Sequence, residues 1–350
     1  MPRAAFAIPL TALATMFVVS AGADDGGAPT KVSAPPVCGA TGPCRIEPLS
    51  IPPTLRSRAH ALELSGLAWS QSLDRYLGVV DEGVPIRGRR SFVFALDRFG
   101  AVDAEPVPIV GPIELDDAEA LTPGPEQTYF LLTSHAPNRS GKVGRQRRRL
   151  LRLVLQDRRL RVTGDLDLFQ GKGEVPRQVE KLGLPRTSPV DLEGLAFFDG
   201  ALYIGFKAPL LPGGSAIILR LEKLSEAFAA GKLPKKALSF WGEVALTATS
   251  PVGGEVPQGI ADLAFGPDGA LYLCANAPKG GSADGGGALW RIAQPGGGRM
   301  TAALLRRFPD LKPEGVAVGP AGDTLGVVFD RDGGEPVWTT WPLGPRTASR

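Results

Sequence analysis

The sequence is poor in histidine and cysteine, and its charges nearly cancel. Its 350 residues include 2 His and 3 Cys, and the net charge is +3 at neutral pH. So few histidines argue against a zinc site of the His/Cys type, and so small a net charge argues against nucleic acid as a dedicated partner. In contrast, 45 Gly, 33 Pro and a hydrophobic content of 43% favour a turn-rich, all-β chain with a substantial core.

Long apolar runs are also scarce, and the one that stands out lies at the N-terminus. Ala4 to Val19 is apolar and shorter than the ~20 residues of a membrane span. Ala21-Gly22-Ala23 is a small-residue cleavage pattern, with Val19-Ser20-Ala21 as an alternative. The alternative is a membrane anchor. The predicted organisation is a signal peptide at 1–23, a flexible leader at 24–43 and a single folded domain at 44–345. The sequence therefore predicts export to the periplasm or the extracellular space.

The three cysteines fall into two groups. Cys38 and Cys44 are close in sequence, and in an exported chain they are predicted to close a small disulfide loop, with two free thiols as the alternative. Cys274 lies in the apolar run Leu271 to Ala275, so it is predicted to be a small, buried core residue.

A hairpin recurs along the chain. In its clearest copy, Leu192 to Phe198 and Ala201 to Phe206 are separated by Asp199-Gly200, a hairpin-turn dipeptide. Five copies align on one apolar column, formed by Leu67, Leu121, Leu195, Leu263 and Val316. The copies lie about 53 to 74 residues apart, in the upper range of four-stranded repeat units.

Further strand patterns follow each hairpin, and four short strands per unit are typical of a propeller blade. The fourth strand of the first unit is predicted near Glu105 to Val110. The last unit has three strands, and Arg45 to Ile51 is predicted to complete it and close the ring, which removes exposed sheet edges. The predicted fold is an all-β propeller of five four-stranded blades; a sixth blade between Gln170 and Pro189 is the alternative.

Acidic residues are concentrated where the first strands begin and the second strands end, and in a propeller both places open on one face. Glu119, Glu193 and Glu314 each lie two residues before the shared apolar position. Three second strands end alike, in His135-Ala-Pro, Lys207-Ala-Pro and Asn276-Ala-Pro. Converging carboxylates repel one another, so this mouth needs a bound cation or a basic side chain.

The mouth is therefore predicted to bind a small-molecule or protein ligand. The predicted ligand-binding residues are Glu119, Glu193, Lys207, His135, Asn276 and Asp81. Oxygen ligands suit Ca²⁺ or Mg²⁺, and the candidate calcium ligands are Glu119, Glu193, Asp262, Glu314 and Asp330. The alternative is that the carboxylates bind backbone amides of neighbouring blades and that Lys207 pairs with Glu193 or Glu119. No catalytic residue is predicted.

Two further motifs carry weaker signals. The basic run Arg145 to Arg149 is either a solvated loop or, beside acidic residues, a place to hold phosphate by bidentate contacts. Ser134-His135 contains a possible nucleophile and base, but adjacent residues of a strand point to opposite faces. This argues against a serine-hydrolase site.

Several motifs, spread over residues 60 to 335, resemble an uncharacterised family of bacterial exported proteins, a domain of unknown function of the β-propeller type. The resemblance rests on Asp191 to Ala196 followed by Ile204 to Pro209, on Asp117 to Leu121 followed by Thr133-Ser-His135, and on Pro313 to Ala317. That family has no settled activity. Where it tends to have arginine, this chain has Lys207, which weakens the case for bidentate anion recognition there.

A looser resemblance points to phytase-like propellers with esterase-like activity, through Leu64 to Ala68 and Asp81-Glu-Gly83. It implies at most a calcium-dependent phosphoesterase, in which Ca²⁺ would polarise the phosphoryl oxygen and activate water. The sequence thus leaves two hypotheses: a propeller that binds a ligand or partner without catalysis, and a metal-assisted phosphoester hydrolase.

Overall fold

A computed structural model describes residues 45–169, 174–249, 254–278, 286–331 and 333–343. Five sheets follow one another along the chain; the first strand of each packs beside the first strand of the next, and the fifth returns to the first. The predicted five-bladed β-propeller is confirmed. The predicted signal peptide, the leader and the Cys38–Cys44 bond lie outside the described residues.

The strands divide among the blades in chain order. After β1 (Glu47–Pro48), blade 1 contains β2 (Leu64–Ser70), β3 (Arg75–Ile86) and β4 (Arg89–Leu96). Blade 2 contains β5 (Ile109–Val110), β6 (Ala118–Pro123), β7 (Thr128–Thr133), β8 (Arg149–Gln156) and β9 (Arg159–Asp167). Helix α1 (Glu174–Lys181) precedes blade 3, which contains β10 (Asp191–Phe198), β11 (Ala201–Ala208), β12 (Ser215–Leu221), helix α2 (Leu224–Ala230) and β13 (Leu238–Ala245).

The remaining strands complete the ring. A two-stranded ribbon of β14 (Thr247–Thr249) and β15 (Glu255–Pro257) leads to blade 4, with β16 (Gly259–Phe265), β17 (Leu271–Asn276), β18 (Gly287–Ile292) and β20 (Ala303–Phe308). Strand β19 (Gly298–Met300) leaves that blade and pairs in parallel with β13 of blade 3. Blade 5 contains β21 (Lys312–Val318), β22 (Thr324–Asp330) and β23 (Val337–Pro342).

The N-terminal strand closes the ring as predicted. Glu47 of β1 lies opposite Trp338 of β23, and the Leu49 amide donates to the Pro336 carbonyl at 2.9 Å. The paired part is shorter than the predicted range, because β1 covers two residues. Blade 5 therefore has three strands from the C-terminal part of the chain and one from the N-terminal part, which joins the two ends of the ring.

Two predictions about strands are wrong. The Glu105 to Val110 segment does not complete blade 1; Ile109–Val110 pairs instead with β9 of blade 2, so blade 1 has three strands. Pro106 and Pro108 have no N–H to donate to a blade-1 ladder, and Val107 makes one bond to Val93 at 2.9 Å. The alternative of a sixth blade also fails, since described residues 174–189 form α1 and turns without a strand.

The core is divided among the blade interfaces. Five clusters of buried apolar side chains each join two neighbouring blades; one of them, for example, contains Leu132 of blade 2 and Ile204 of blade 3. The inner strands approach closely: a Cβ on Gly66 would lie 2.6 Å from the Glu119 carbonyl oxygen. Cys274 is buried with a free thiol, as predicted. None of the described helices is long and apolar enough to cross a membrane.

Candidate ligand site at the channel mouth

Every blade has a β-bulge at the same place in its first strand. In blade 3, Leu192 pairs with Phe206 and Gly194 pairs with Gly205, so Glu193 is the extra residue. The same interruption occurs in all five blades, and the extra residues are Ser65, Glu119, Glu193, Ala261 and Glu314. We call these five residues the bulge ring. A bulge re-aims the side chain of its extra residue, so the acidic column seen in the sequence is set by backbone geometry.

A second ring of side chains lies at the ends of the second strands. Leu192 pairs with Phe206, and Lys207 is the next residue; the matching residue in the five blades is Asp81, Ser134, Lys207, Asn276 or Asp330. We call these five the strand-end ring. The shared Ala-Pro had suggested that His135 is equivalent to Lys207. The strand register shows that Ser134, and not His135, is the equivalent residue. Blade 2 has one more residue there, and His135 takes a left-handed φ of 59°.

Lys207 of the strand-end ring forms ion pairs with two glutamates of the bulge ring. Its Nζ lies 2.6 Å from Glu193 Oε2 and 3.4 Å from Glu314 Oε2, and Asn276 Nδ2 donates to Glu314 Oε1 at 2.9 Å. Burial alone would lower the pKa of Lys207, but the charges of Glu193 and Glu314 outweigh burial and raise it. Lys207 is therefore a buried cation, and the predicted pairing of Lys207 with Glu193 is present.

The other glutamates of the bulge ring hold protons more tightly than usual. Burial raises the pKa of Glu314 to about 8; the charge of Glu193 adds to this shift, and Lys207 opposes it. Burial also raises the pKa of Glu119 well above its usual value, and the carboxylates of Glu193, Asp117, Asp191 and Asp81 add to that effect.

Glu119 lacks the balance that Glu193 has. Within the described ranges, no lysine, arginine or histidine forms an ion pair with Glu119, whose exposed fraction is 7%. In blade 2 the strand-end residue is Ser134, which donates to Asp117 instead. Glu119 is therefore a buried acid with a raised pKa, and its charged neighbours are carboxylates.

Asp262 directly follows the bulge residue Ala261, and its carboxylate binds backbone amides. Its Oδ2 accepts the amides of Val316 at 2.9 Å and Leu67 at 3.4 Å, and its Oδ1 accepts the Leu263 amide at 2.8 Å. The Leu195 amide also bonds to this carboxylate. These donors are the shared apolar positions of four blades, so Asp262 holds four inner strands together. For this proposed calcium ligand, the geometry matches the amide-capping alternative.

The basic run of blade 2 is bound to neighbouring acids. Arg147 forms ion pairs with Asp117 and, at 3.1 Å, with Asp116; the next two arginines pair with Asp167 and Asp165 at 3.1 and 2.5 Å. Because these guanidinium groups already bind carboxylates, the structure gives no support to a phosphate site there. Ser134 bonds to Asp117 rather than to His135, so the pair does not form a nucleophile and base.

The two remaining predicted residues lie in the strand-end ring. Burial raises the pKa of Asp81 to about 6; the Glu82 amide opposes this shift, and the charges of Glu63, Asp117 and Glu82 add to it. Asp330 Oδ2 lies 3.7 Å from Lys312 Nζ. In the described part of the chain, no group of three or more His, Cys, Asp or Glu residues is arranged to hold a metal ion. The predicted calcium ligands therefore do not form one coordination sphere here, and calcium binding stays a prediction.

Sequence reasoning missed the bulges and Ser134. A signal for the bulges was present, because Gly66, Ala120, Gly194 and Gly315 place a small residue directly after the extra residue in four copies. The equivalence of Ser134 and Lys207 follows only from strand register. Aligning the Ala-Pro dipeptides instead matched Lys207 with His135, which is one residue too late in blade 2.

Comparison with known proteins identifies no family for this chain. No family model and no curated protein matches the chain, so the resemblance to an exported family stays a prediction. Similar solved structures include a glucose dehydrogenase (15% identity, 81% of this chain and 97% of that chain, TM-score 0.43) and a PQQ-bound aldose sugar dehydrogenase from Streptomyces coelicolor (15%, 87% and 99%, 0.41). A calcium-binding regucalcin from Agrobacterium tumefaciens is another (10%, 86% and 94%, 0.41). At these identities, no activity or ligand is carried over to this chain.

Proposed function

We propose that the channel mouth binds a ligand through a cationic group, and that Glu119 is the centre of that site. The observation that carries the proposal is the contrast within the bulge ring. Glu193 is 2.6 Å from a lysine, whereas Glu119 has four acidic neighbours and no ion pair among the described residues. A cation placed beside Glu119 would supply the charge that the protein does not.

The neighbouring acids extend this site. Glu119 lies close enough to Asp81, Asp117 and Asp191 for their charges to raise its pKa. A bound cation favours the ionised form of each nearby carboxyl group and so reverses this effect. Binding should therefore release protons and strengthen as the pH rises. The ligand class is a divalent metal ion, with Ca²⁺ as the first candidate, or an organic ammonium group.

The test is calorimetric titration with two probes, CaCl₂ and 1,4-diaminobutane, at pH 6 and pH 8. Repeating each titration in buffers with different ionisation enthalpies counts the protons released. We expect at least one probe to bind, more tightly at pH 8, and the Glu119→Gln variant to lose roughly 10- to 100-fold in affinity, as for loss of one charged contact. A free probe concentration of about 100 times its Kd should also raise the free energy of unfolding by about 2.7 kcal/mol.

Glu105→Gln is the matched control, because Glu105 is 64% exposed, pairs with Arg87 and belongs to neither ring. It should leave both affinities unchanged. Absence of binding by both probes at pH 8, or equal affinity of the wild type and Glu119→Gln, would contradict the proposal. Binding of Ca²⁺ alone would support the predicted metal site, and binding of the diamine alone would support an organic ligand.

The phosphoesterase alternative has less support from the geometry. A phosphate substrate needs cationic groups beside the metal, but Arg147 and Arg149 already pair with aspartates, and Lys207 with two glutamates. The alternative still makes a definite prediction, which is calcium-dependent hydrolysis of a simple aryl phosphate. No turnover with Ca²⁺ present would remove it and leave the binding protein.

Export remains part of the proposal and rests on the sequence of residues 1–23. It is supported by the apolar run and the small-residue cleavage pattern. N-terminal sequencing of protein from the periplasm or the medium should find a start after Ala21 or Ala23. Recovery of uncleaved protein from the cytoplasm would contradict it.

A further inference from the structure

His135 faces a cavity that is separate from the two rings. The cavity has a volume of about 570 Å³ and lies between the end of blade 2's second strand and the segment around α1. Phe169, Pro137, Pro176, Val143 and Val190 form much of its wall, whereas no member of the bulge ring or the strand-end ring lines it. The one-residue shift in blade 2 explains this: Ser134 points toward Asp117, and the next side chain points the other way.

The imidazole of His135 has one satisfied and one unsatisfied nitrogen. Nδ1 lies 2.6 Å from the Thr133 carbonyl oxygen, which only accepts, so Nδ1 carries the hydrogen and Nε2 carries the lone pair. Burial lowers the pKa of His135 to about 4, although the hydrogen bond to Thr133 opposes this shift. The low pKa keeps the imidazole ring neutral. Nε2 is buried, and no described residue donates to it.

An unsatisfied acceptor at this depth is unfavourable. The side chain is 1% exposed, and a buried polar atom without a hydrogen bond costs free energy that a donor from a ligand would recover. Phe169 packs against the imidazole with ring centroids 5.3 Å apart, so His135 cannot easily turn its ring away. The imidazole is thus held in place beside the cavity that His135 lines.

The remaining walls indicate what kind of molecule would fit. They are rich in aromatic, proline and valine carbon, with the hydroxyls of Thr187 and Ser188 as additional polar groups, and the guanidinium of Arg186, which lies 3.9 Å from Glu180, as the charged one. A mostly apolar pocket with a few placed polar atoms, in the volume range of this one, is typical of small-molecule sites. The phenyl ring of Phe169 favours an aromatic ligand, and the unpaired acceptor Nε2 of His135 favours a ligand with a hydroxyl donor.

We propose that this cavity binds a hydroxylated aromatic molecule of the phenol class, whose hydroxyl donates to His135 Nε2 while its ring packs on Phe169 and the prolines. The site is independent of cation binding at the channel mouth. The chain has 2 histidines, and the other, His60, is exposed. A His60→Asn background therefore leaves His135 as the single imidazole, and its ¹⁵N spectrum reports on Nε2 directly.

The probes are phenol and anisole, which share a ring but differ in the donor. In the His60→Asn protein, we expect phenol to shift the Nε2 resonance, and anisole to bind about tenfold more weakly without that shift, since it lacks the hydrogen bond. His135→Asn should bind phenol and anisole alike; asparagine tolerates the left-handed backbone at this position.

A second variant keeps the test valid if His135→Asn does not fold. Val143→Phe adds bulk to the partly exposed wall and should weaken both probes by about tenfold or more. His60→Asn itself is the control and should bind phenol as the wild type does. Failure of phenol to bind at millimolar concentration, equal binding of phenol and anisole by the His60→Asn protein, or an unmoved Nε2 resonance would overturn the proposal.

Discussion

Blades 2 and 3 present the same bulged glutamate in opposite electrostatic settings. Both have the extra residue at one register, directly before a small residue and two before the shared leucine. In blade 3 the strand-end residue is Lys207, which forms an ion pair with Glu193; in blade 2 it is Ser134, and burial and the neighbouring carboxylates raise the pKa of Glu119. The backbone therefore fixes where the carboxyl group lies, and the strand-end residue decides whether that carboxyl group has a basic partner.

Blade 2 does contain cations, but they are directed elsewhere. Arg147 pairs with Asp116 and Asp117, and its Nε donates to the Ala136 carbonyl at 3.0 Å. These contacts hold the loop after the second strand, and they bring a positive charge to Asp117 rather than to Glu119. Both blades contain acidic and basic residues, but they pair differently. The basic residue binds the bulge glutamate in blade 3 and a different acid, Asp117, in blade 2.

The strongest test of this comparison is removal of the shared cation. Lys207→Met keeps most of the side-chain volume but leaves Glu193 and Glu314 buried without their lysine. We expect a loss of about 3–5 kcal/mol in the free energy of unfolding at pH 7, as for breaking a buried ion pair from one side. Urea denaturation followed by tryptophan fluorescence measures it.

Lys312→Met is the matched control, because Lys312 is 38% exposed and lies 3.7 Å from Asp330. We expect it to change the free energy of unfolding by less than about 1 kcal/mol. If Lys207→Met costs no more than this control, the Lys207 pair is not the stabilising contact that distinguishes blade 3 from blade 2.

A smaller loss is expected from the acidic side of the same pair. Glu193→Gln removes the closer partner of Lys207, but Glu314 remains at 3.4 Å and can ionise to compensate. We expect a loss of about 1.5–3 kcal/mol, the range for a hydrogen bond to a charged group. The pH dependence of unfolding should also change, since Glu314 would then titrate at lower pH. A loss equal to that of Lys207→Met would show that Glu314 does not compensate.

The fold was predictable from the sequence because its signals are local and repeated. Apolar alternation and the Asp199-Gly200 turn, where both residues have positive φ, gave the hairpins, and the shared apolar column gave the number of blades. The edge strands were less predictable, because β5 and β19 pair with blades other than the expected ones. Edge pairing depends on which neighbour is free in space, and that information is not local.

The site was predictable in part for the same reason. The glutamate column and the Lys207–Glu193 pair follow from repeat alignment, whereas the role of Asp262 depends on amides from four blades that meet only in the folded ring. His135 was assigned to the mouth because Ala-Pro follows it, as it follows Lys207 and Asn276. A single extra residue with a left-handed backbone turned that side chain to another cavity.

At pH 5, Glu119→Gln should have the smallest effect on stability of these substitutions, and its pH dependence is the effect most specific to blade 2. Glutamine matches the protonated acid in shape, so at pH 5 the variant should lie within about 0.5 kcal/mol of the wild type. In the wild type the folded chain holds the Glu119 proton to higher pH than the unfolded chain does, so the folded state binds more protons and stability falls as the pH rises above the unfolded pKa. Glutamine does not titrate, so Glu119→Gln should become the more stable protein between pH 5 and pH 8, by a margin that grows with pH. Urea unfolding of both proteins across that range measures the difference, while Glu105→Gln should show none. A constant difference across the range would mean that Glu119 is ionised in the folded protein and has a partner after all.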